Sequence, residues 1–243
     1  MTKAIAIIAA VEFELSLIGA HLGIEGLSYH RPVKKDHIIV YLSGPGMVNA
    51  AIAATKVIER FSPFLLISTG VCGAYKGSGL DIGDIAIADT EIYGDTGVKR
   101  GIEFEDMRRL GLPILKKFST ITSTDQEIFN EIPIRNIYNQ KILKYSEEMG
   151  LKARSGRFVT VTGITGDPEE ACIMQRRWNA ICENMEGAGV AHVALLHNIE
   201  FMEIRGVSNM AGDRDKRRWN LTLVSENCQR VLCRFIEEAG KDV

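Results

Sequence analysis

The groups able to do chemistry collect in five short segments of this sequence. Ala10-Val11-Glu12-Phe13-Glu14 puts two carboxylates directly behind an apolar run. Ser43-Gly44-Pro45-Gly46 and Thr69-Gly70-Val71-Cys72-Gly73 are glycine turns whose backbone N–H groups can face a ligand, or simply let chain pack on chain. Asn184-Met185-Glu186-Gly187 sets a carboxylate before small residues opening a helix. A carboxylate held rigidly at such a place needs partners, and sugar hydroxyls are suitable donors. Arg205-Gly206-Val207-Ser208-Asn209 ends on a hydroxyl and an amide. Each segment also has a plain structural reading. Acidic residues favour helix N-termini, and Ser-Asn favours turns. Asn49 stands where a dinucleotide turn wants its third glycine, so Gly44 and Gly46 read best as a tight strand-to-helix turn. His192 falls on an apolar helix face and reads as core.

The elements that must position these groups are legible as two periods. Continuous apolar runs at Ala4–Ala10, Ile38–Leu42, Phe64–Ser68, Ile85–Ala88, Phe158–Thr162 and Phe201–Arg205 predict strands buried on both faces. Helical periodicity covers Met47–Phe61, Ile134–Met149, Glu169–Trp178, Gly187–Leu196 and Leu223–Ala239. Strands alternating with helices predict an α/β domain with a parallel or mixed sheet, and no linker divides residues 1–243. The stretch Tyr93–Asn130 is the least periodic, which fits a substrate lid, an interface segment or a surface excursion.

A formal net charge of −2 over 243 residues offers no basic field for nucleic acid or anionic lipid. The Ala4–Val11 run is too short to span a membrane and is followed by Glu12 and Glu14. The five cysteines include no C-x-x-C pair, which predicts reduced thiols in a cytoplasmic protein and no metal site.

Taken in order, Ala9-Ala10-Val11-Glu12-Phe13-Glu14, Ser43-Gly44-Pro45-Gly46, Thr69-Gly70-Val71-Cys72-Gly73, Ile82-Gly83-Asp84, Asn184-Met185-Glu186-Gly187 and Arg205-Gly206-Val207-Ser208-Asn209 resemble the nucleoside phosphorylase/nucleosidase superfamily. That superfamily includes methylthioadenosine/S-adenosylhomocysteine nucleosidase. The resemblance implies a single three-layer α/β/α domain with a central mixed, partly barrel-like sheet. It also implies a purine-nucleoside substrate, no cofactor, and a homo-oligomer, dimer or larger. Residue by residue, it puts a water-activating carboxylate on Glu14 and a ribose-binding carboxylate on Glu186. It puts Met185 under the sugar, Gly73 in the loop lining sugar and base, and base contacts at Thr162, Ile164 and Thr165. Tyr93-Gly94-Asp95, Glu183 through Gly187, Arg205 through Asn209 and Trp219 are similar to the branch that hydrolyses futalosine to hypoxanthine on a route to menaquinone.

Two departures sharpen this expectation. Adenine-releasing members carry aspartate where this chain has Asn209, with Ser208 placed to hold its side chain. An amide NH2 can donate to N7 and O6 of a 6-oxopurine but mismatches adenine's amino group. Where phosphorylases hold phosphate with arginine and serine, this chain has Ser68 and Val71, which favours water as nucleophile. The rival readings are an adenine nucleosidase, a phosphorylase and a nucleoside-binding protein without catalysis.

Overall fold

The computed structural model describes residues 4–101, 103–119 and 124–239. Its strands are β1 (Ile5–Ala9), β2 (Val33–Lys35), β3 (Ile38–Leu42), β4 (Leu65–Ala74), β5 (Ile85–Tyr93), β6 (Gly97–Arg100) and β7 (Glu103–Asp106), followed by β8 (Leu115–Ser119), β9 (Thr124–Ile128), β10 (Glu131–Pro133), β11 (Ala153–Thr160), β12 (Cys182–Asn184) and β13 (Glu200–Met210). The helices are α1 (Ser16–His21), α2 (Met47–Phe61), α3 (Asn139–Glu148), α4 (Pro168–Trp178), α5 (Gly187–His197) and α6 (Leu221–Ala239).

The apolar runs fold as strands because both of their faces are covered. In β1, Ala6 and Ile8 join one core, while Ile5, Ile7 and Ala9 join the other. The first core is closed by α2 through Ala50, Ala53 and Val57 and by α5 through Ala188, Val190 and Ala191. The second is closed by Ile18 of α1, Ile142 of α3 and Val231, Leu232 and Phe235 of α6. The result is a three-layer α/β/α arrangement.

Nine strands form the central sheet in the order β10-β5-β11-β12-β4-β1-β3-β2, and β13 pairs with both β4 and β5. Strands β4, β12, β11, β5 and β13 therefore close into a ring, giving a mixed sheet that is part barrel. The β13–β4 ladder is parallel and the β13–β5 ladder antiparallel. This closure explains why several strands outrun their apolar runs. β4 continues through the glycine segment to Ala74, and β13 continues through Ser208 to Met210.

Two other expectations change. The Tyr93–Asn130 stretch, part of which lies outside the described residues, carries two antiparallel hairpins, β6/β7 and β8/β9. Their short, charged strands have no apolar alternation to betray them. Helix α3 begins at Asn139 rather than near Ile134, because residues 131–133 pair with β5 and Asn136 Oδ1 accepts the N–H groups of Tyr138 and Asn139.

At Gly206, β13 passes directly beneath α6, and a Cβ there would lie 2.9 Å from the backbone carbonyl carbon of Val224. Only a bare Cα allows this helix to seat on the ring. Gly206→Ala is expected to lower stability by about 1–3 kcal/mol, read as a lower urea midpoint at unchanged slope.

Candidate active site

A cleft of about 750 Å³, its solvent-open part included, lies over the ends of β1, β4, β12 and β13. It is within the range of small-molecule sites. Glu14, Gly73, Ile164, Met185, Glu186, Ser208 and Asn209 all line it. The chain thus brings together groups that are nearly 200 positions apart in sequence.

Glu14 closes a 3-10 turn, Glu12–Glu14, that follows β1. The turn leaves Glu12 exposed and swings Glu14 inward to 4% exposure. Its Oε2 accepts from Ala10 N at 3.0 Å and Val11 N at 3.1 Å, and its Oε1 accepts from Val71 N at 3.0 Å. Gly70 makes the room: a Cβ there would stand 2.5 Å from Glu14 Oε1, and its φ of +151° suits only glycine. Burial pushes the carboxyl up to about 7, against the pull of Arg205 and the backbone donors and with the push of Glu186. A carboxylate poised there is suited to general-base work near neutrality.

Glu186 is the residue before α5 and is 8% exposed. Gly46 N donates to its Oε1 at 3.0 Å, and Arg205 Nη1 to its Oε2 at 3.1 Å. The Ser43–Gly46 turn therefore meets a carboxylate of its own chain. Asn184 Oδ1 accepts the N–H groups of Glu186 and Gly187, which fixes the helix start.

Arg205 lies under these two acids at 2% exposure. Its Nε donates to Glu203 Oε1 at 2.6 Å, and its Nη1 also reaches Val71 O at 3.2 Å. Burial alone would lower the guanidinium's pKa, but Glu203, Glu186 and Glu14 raise it further, so it stays charged. Glu203 and Glu91 are both fully buried. Burial and then the Glu203 charge hold the Glu91 carboxyl well above the usual range, so it keeps its proton and can donate it toward Glu203. That gives Glu203 Oε2, which meets no other hydrogen-bonding group, its partner.

At the other end of the cleft, a bulge shapes β13. Val207 pairs with Cys72 and Asn209 with Gly73, so Ser208 is the extra residue. Ser208 Oγ lies 2.8 Å from Asn209 Oδ1 and 3.1 Å from Cys72 O, while Asn209 Nδ2 donates to Met210 O at 3.0 Å. One Nδ2 hydrogen is left for the cleft. Val161 and Ile164 line this end; Thr162 and Thr165 do not. Thr162 is exposed, and its N–H donates to Asp95 Oδ2 at 2.6 Å. Thr165 is buried, and both its N–H and its hydroxyl bind Glu183. Ser68, expected in the glycine segment, sits below the cleft against Arg205 at 3.4 Å. His192 is hydrogen-bonded to Tyr93 at 2.8 Å and lies outside the lining, half-buried instead of in the core as its helix face suggests.

The mouth is apolar and aromatic. Phe13, Ile164 and Leu221 line it while being 39%, 50% and 37% exposed. Trp219 lines it too, with the Arg214 guanidinium 4.8 Å from its ring centre. Arg100, Arg108 and Arg109 of the Tyr93–Arg109 segment do not line the cleft. That Glu183 and Arg214 line the cleft and that Arg205 lies beneath it was hidden in sequence. Glu183 and Arg205 look like ordinary strand residues there, and Arg214 sits in a mixed-charge run.

A profile of the phosphorylase superfamily matches residues 4–237. The chain belongs to that superfamily. Within it, the sequence is 32% identical over 202 residues to the futalosine hydrolase of Thermus thermophilus, covering 83% of this chain and 82% of the relative. It is 25% identical over 216 residues to a 5'-methylthioadenosine/S-adenosylhomocysteine nucleosidase of Staphylococcus aureus, covering 85% and 86%. Two solved structures share the fold at TM-score 0.79. A Helicobacter pylori nucleosidase variant with 5'-methylthioadenosine in its active site is 20% identical, covering 98% of this chain and 100% of that one. A futalosine hydrolase mutant of the same species is 19% identical, covering 97% and 99%.

Removing the buried cation should leave Glu203 and Glu186 without compensation. Arg205→Met is expected to destabilise the protein by about 3–5 kcal/mol at pH 7. The deficit should shrink at acid pH, where the stranded carboxylates can protonate; thermal denaturation at pH 5 and 7.5 measures both.

Proposed function

We propose that this protein is a nucleosidase that hydrolyses the N-glycosidic bond of a 6-oxopurine nucleoside, with futalosine as substrate and hypoxanthine as the leaving base. The observation that carries this reading is Asn209. Its amide lines the cleft, with Oδ1 beside the Ser208 hydroxyl and one Nδ2 hydrogen left over. A single donor hydrogen at that place can be shared between N7 and O6 of hypoxanthine and opposes the amino group of adenine. The higher identity to a futalosine hydrolase than to methylthioadenosine nucleosidases points the same way.

In the mechanism we infer, Glu14 orients water and takes its proton as the oxygen bonds to the sugar's C1′. The C1′–N9 bond breaks through an oxocarbenium-like transition state, and its electron pair leaves with the purine. Glu186 accepts the ribose hydroxyls on the lone pairs that Gly46 and Arg205 leave free. Met185 packs under the sugar. Asn209 stabilises charge on the departing base. Phosphate is disfavoured as nucleophile because the cation nearest the glycine segment, Arg205, is engaged by Glu203 and Glu186. At the mouth, Trp219 and Arg214 suit an aromatic carboxylate carried on the 5′ side of the nucleoside.

Because the base form of Glu14 is required, kcat/KM should fall on the acid side with a midpoint near pH 7, following its raised pKa. Glu14→Gln should lower kcat by about 10²–10⁴ and abolish that limb, measured as initial rates of base release from pH 5 to 9. Asn209→Asp should lower hypoxanthine release from inosine and raise adenine release from methylthioadenosine. No gain on the adenine nucleoside would remove Asn209 as the base selector.

A further inference from the structure

Two acids lie wholly out of solvent and outside the lining of the cleft. Glu91 of β5 and Glu203 of β13 are each at 0% exposure. The point that a Gly187 Cβ would occupy is crowded by Glu91 Oε1 and by both oxygens of Glu203. Only glycine at 187 lets the two carboxyl groups meet beneath the start of α5.

Each member of this pair holds a different support of Glu186. Glu91 anchors the side chains that fix the first turn of α5. Asn184 Nδ2 donates to its Oε1 at 2.6 Å, and Thr160 Oγ1 and Ile92 N donate to its Oε2 at 2.7 and 3.1 Å. Asn184 Oδ1 in turn accepts the N–H groups of Glu186 and Gly187, and Thr160 Oγ1 accepts that of Ala188 at 2.8 Å. Glu203 Oε1 accepts from Arg205 Nε at 2.6 Å, and Arg205 Nη1 reaches Glu186 Oε2. The backbone and the carboxylate of Glu186 are thus held by two routes that join where Glu91 meets Glu203.

The junction needs one proton and a particular group to carry it. Glu203 Oε2 has no other partner, while Glu91 Oε1 already accepts from Asn184. An undissociated carboxyl satisfies both, because its hydroxyl oxygen donates one hydrogen and still accepts another. A carboxamide at 91 cannot. With its nitrogen toward Glu203 it sets a donor against Asn184 Nδ2, and with its oxygen there it leaves Glu203 Oε2 without a hydrogen. Asn184 cannot turn over to help, since its Oδ1 is held by two backbone donors. The titratable groups that face Glu91 are Glu203 and Arg205 of β13, Cys182 of β12 and Tyr93 of its own strand. Burial and the Glu203 charge outweigh the pull of Arg205, so the proton stays on Glu91.

We propose that Glu91, as an undissociated acid bonded to Glu203, is a positioning residue that sets Glu186 against the ribose hydroxyls. This rests on the reading of Glu186 as the ribose-binding carboxylate and extends it one layer into the barrel.

The test compares kcat/KM on inosine and on 2′,3′-dideoxyinosine, which lacks the hydroxyls that Glu186 binds, for the wild type, Glu91→Gln, Glu203→Gln and Glu186→Gln. The intrinsic lability of each glycosidic bond is common to every form and cancels in the change of the ratio. Glu91→Gln should narrow the preference for the ribonucleoside at least about tenfold, with the dideoxy compound little affected. Glu203→Gln should narrow it less, because its oxygen can still accept from Arg205 while its amide donates to Glu91. The infrared spectrum of the wild type at pH 9 should show a carboxylic-acid C=O band that is reduced in Glu91→Gln. An equal fall on both substrates or no fall in Glu91→Gln, or an equal or greater narrowing in Glu203→Gln, would overturn the assignment. So would an acid band undiminished in Glu91→Gln, or absent from the wild type, a result that stands even if the variant fails to fold. Glu186→Gln separates the two readings. If it leaves the ribose preference intact, the reading of Glu186 falls; if it collapses the preference and Glu91→Gln does not, the role of Glu91 alone is rejected.

Discussion

Arg205 is a buried cation on which the Glu14 and Glu186 end of the cleft depends. An arginine at 2% exposure persists only where anions repay its desolvation, and here Glu203 and Glu186 lie within 3.1 Å of it. Its charge fixes the Glu186 carboxylate, pulls on Glu14 from below and, through Glu203, leaves Glu91 as the acid that keeps a proton. Burial, with the push of Glu186 and against the pull of Arg205, leaves Glu14 titrating near 7 instead of in the ordinary carboxylate range.

The ring closure of the sheet supplies the rest. β13 is bonded on both sides, to β4 and to β5, and carries Glu203, Arg205, Ser208 and Asn209 on one continuous strand. The charged residues thus sit in the interior of the barrel, while the bulge at Ser208 delivers the hydroxyl and amide to the cleft. One strand therefore serves both the carboxylate end and the Ser208–Asn209 end of the cleft. Their separation along it is set by covalent geometry and not by flexible loops.

Much of this was legible in the sequence. The two-faced strands β1 and β3 and the helices α2, α4, α5 and α6 announce themselves through period and length. The glycine turns and the pairs Glu14/Glu186 and Ser208/Asn209 carry the resemblance to the superfamily. What stayed hidden has a physical reason. A buried Arg205–Glu203 pair reads like surface residues until the ring closes around it, because local composition does not record long-range pairing. The bulge at Ser208 has no glycine or proline to mark it. The hairpins within Tyr93–Asn130 are too short and too charged to show alternation. Thr162 and Thr165 resemble base contacts by position, yet their backbone groups turn to Asp95 and Glu183.

The central claim joins two statements, that water is the nucleophile and that the base is a 6-oxopurine. Chromatography of the bases released from futalosine, inosine and methylthioadenosine, with and without phosphate, tests both at once. The account predicts hypoxanthine, released fastest from futalosine and at the same rate in either buffer. Adenine as the main product, or release only when phosphate is present, would contradict it.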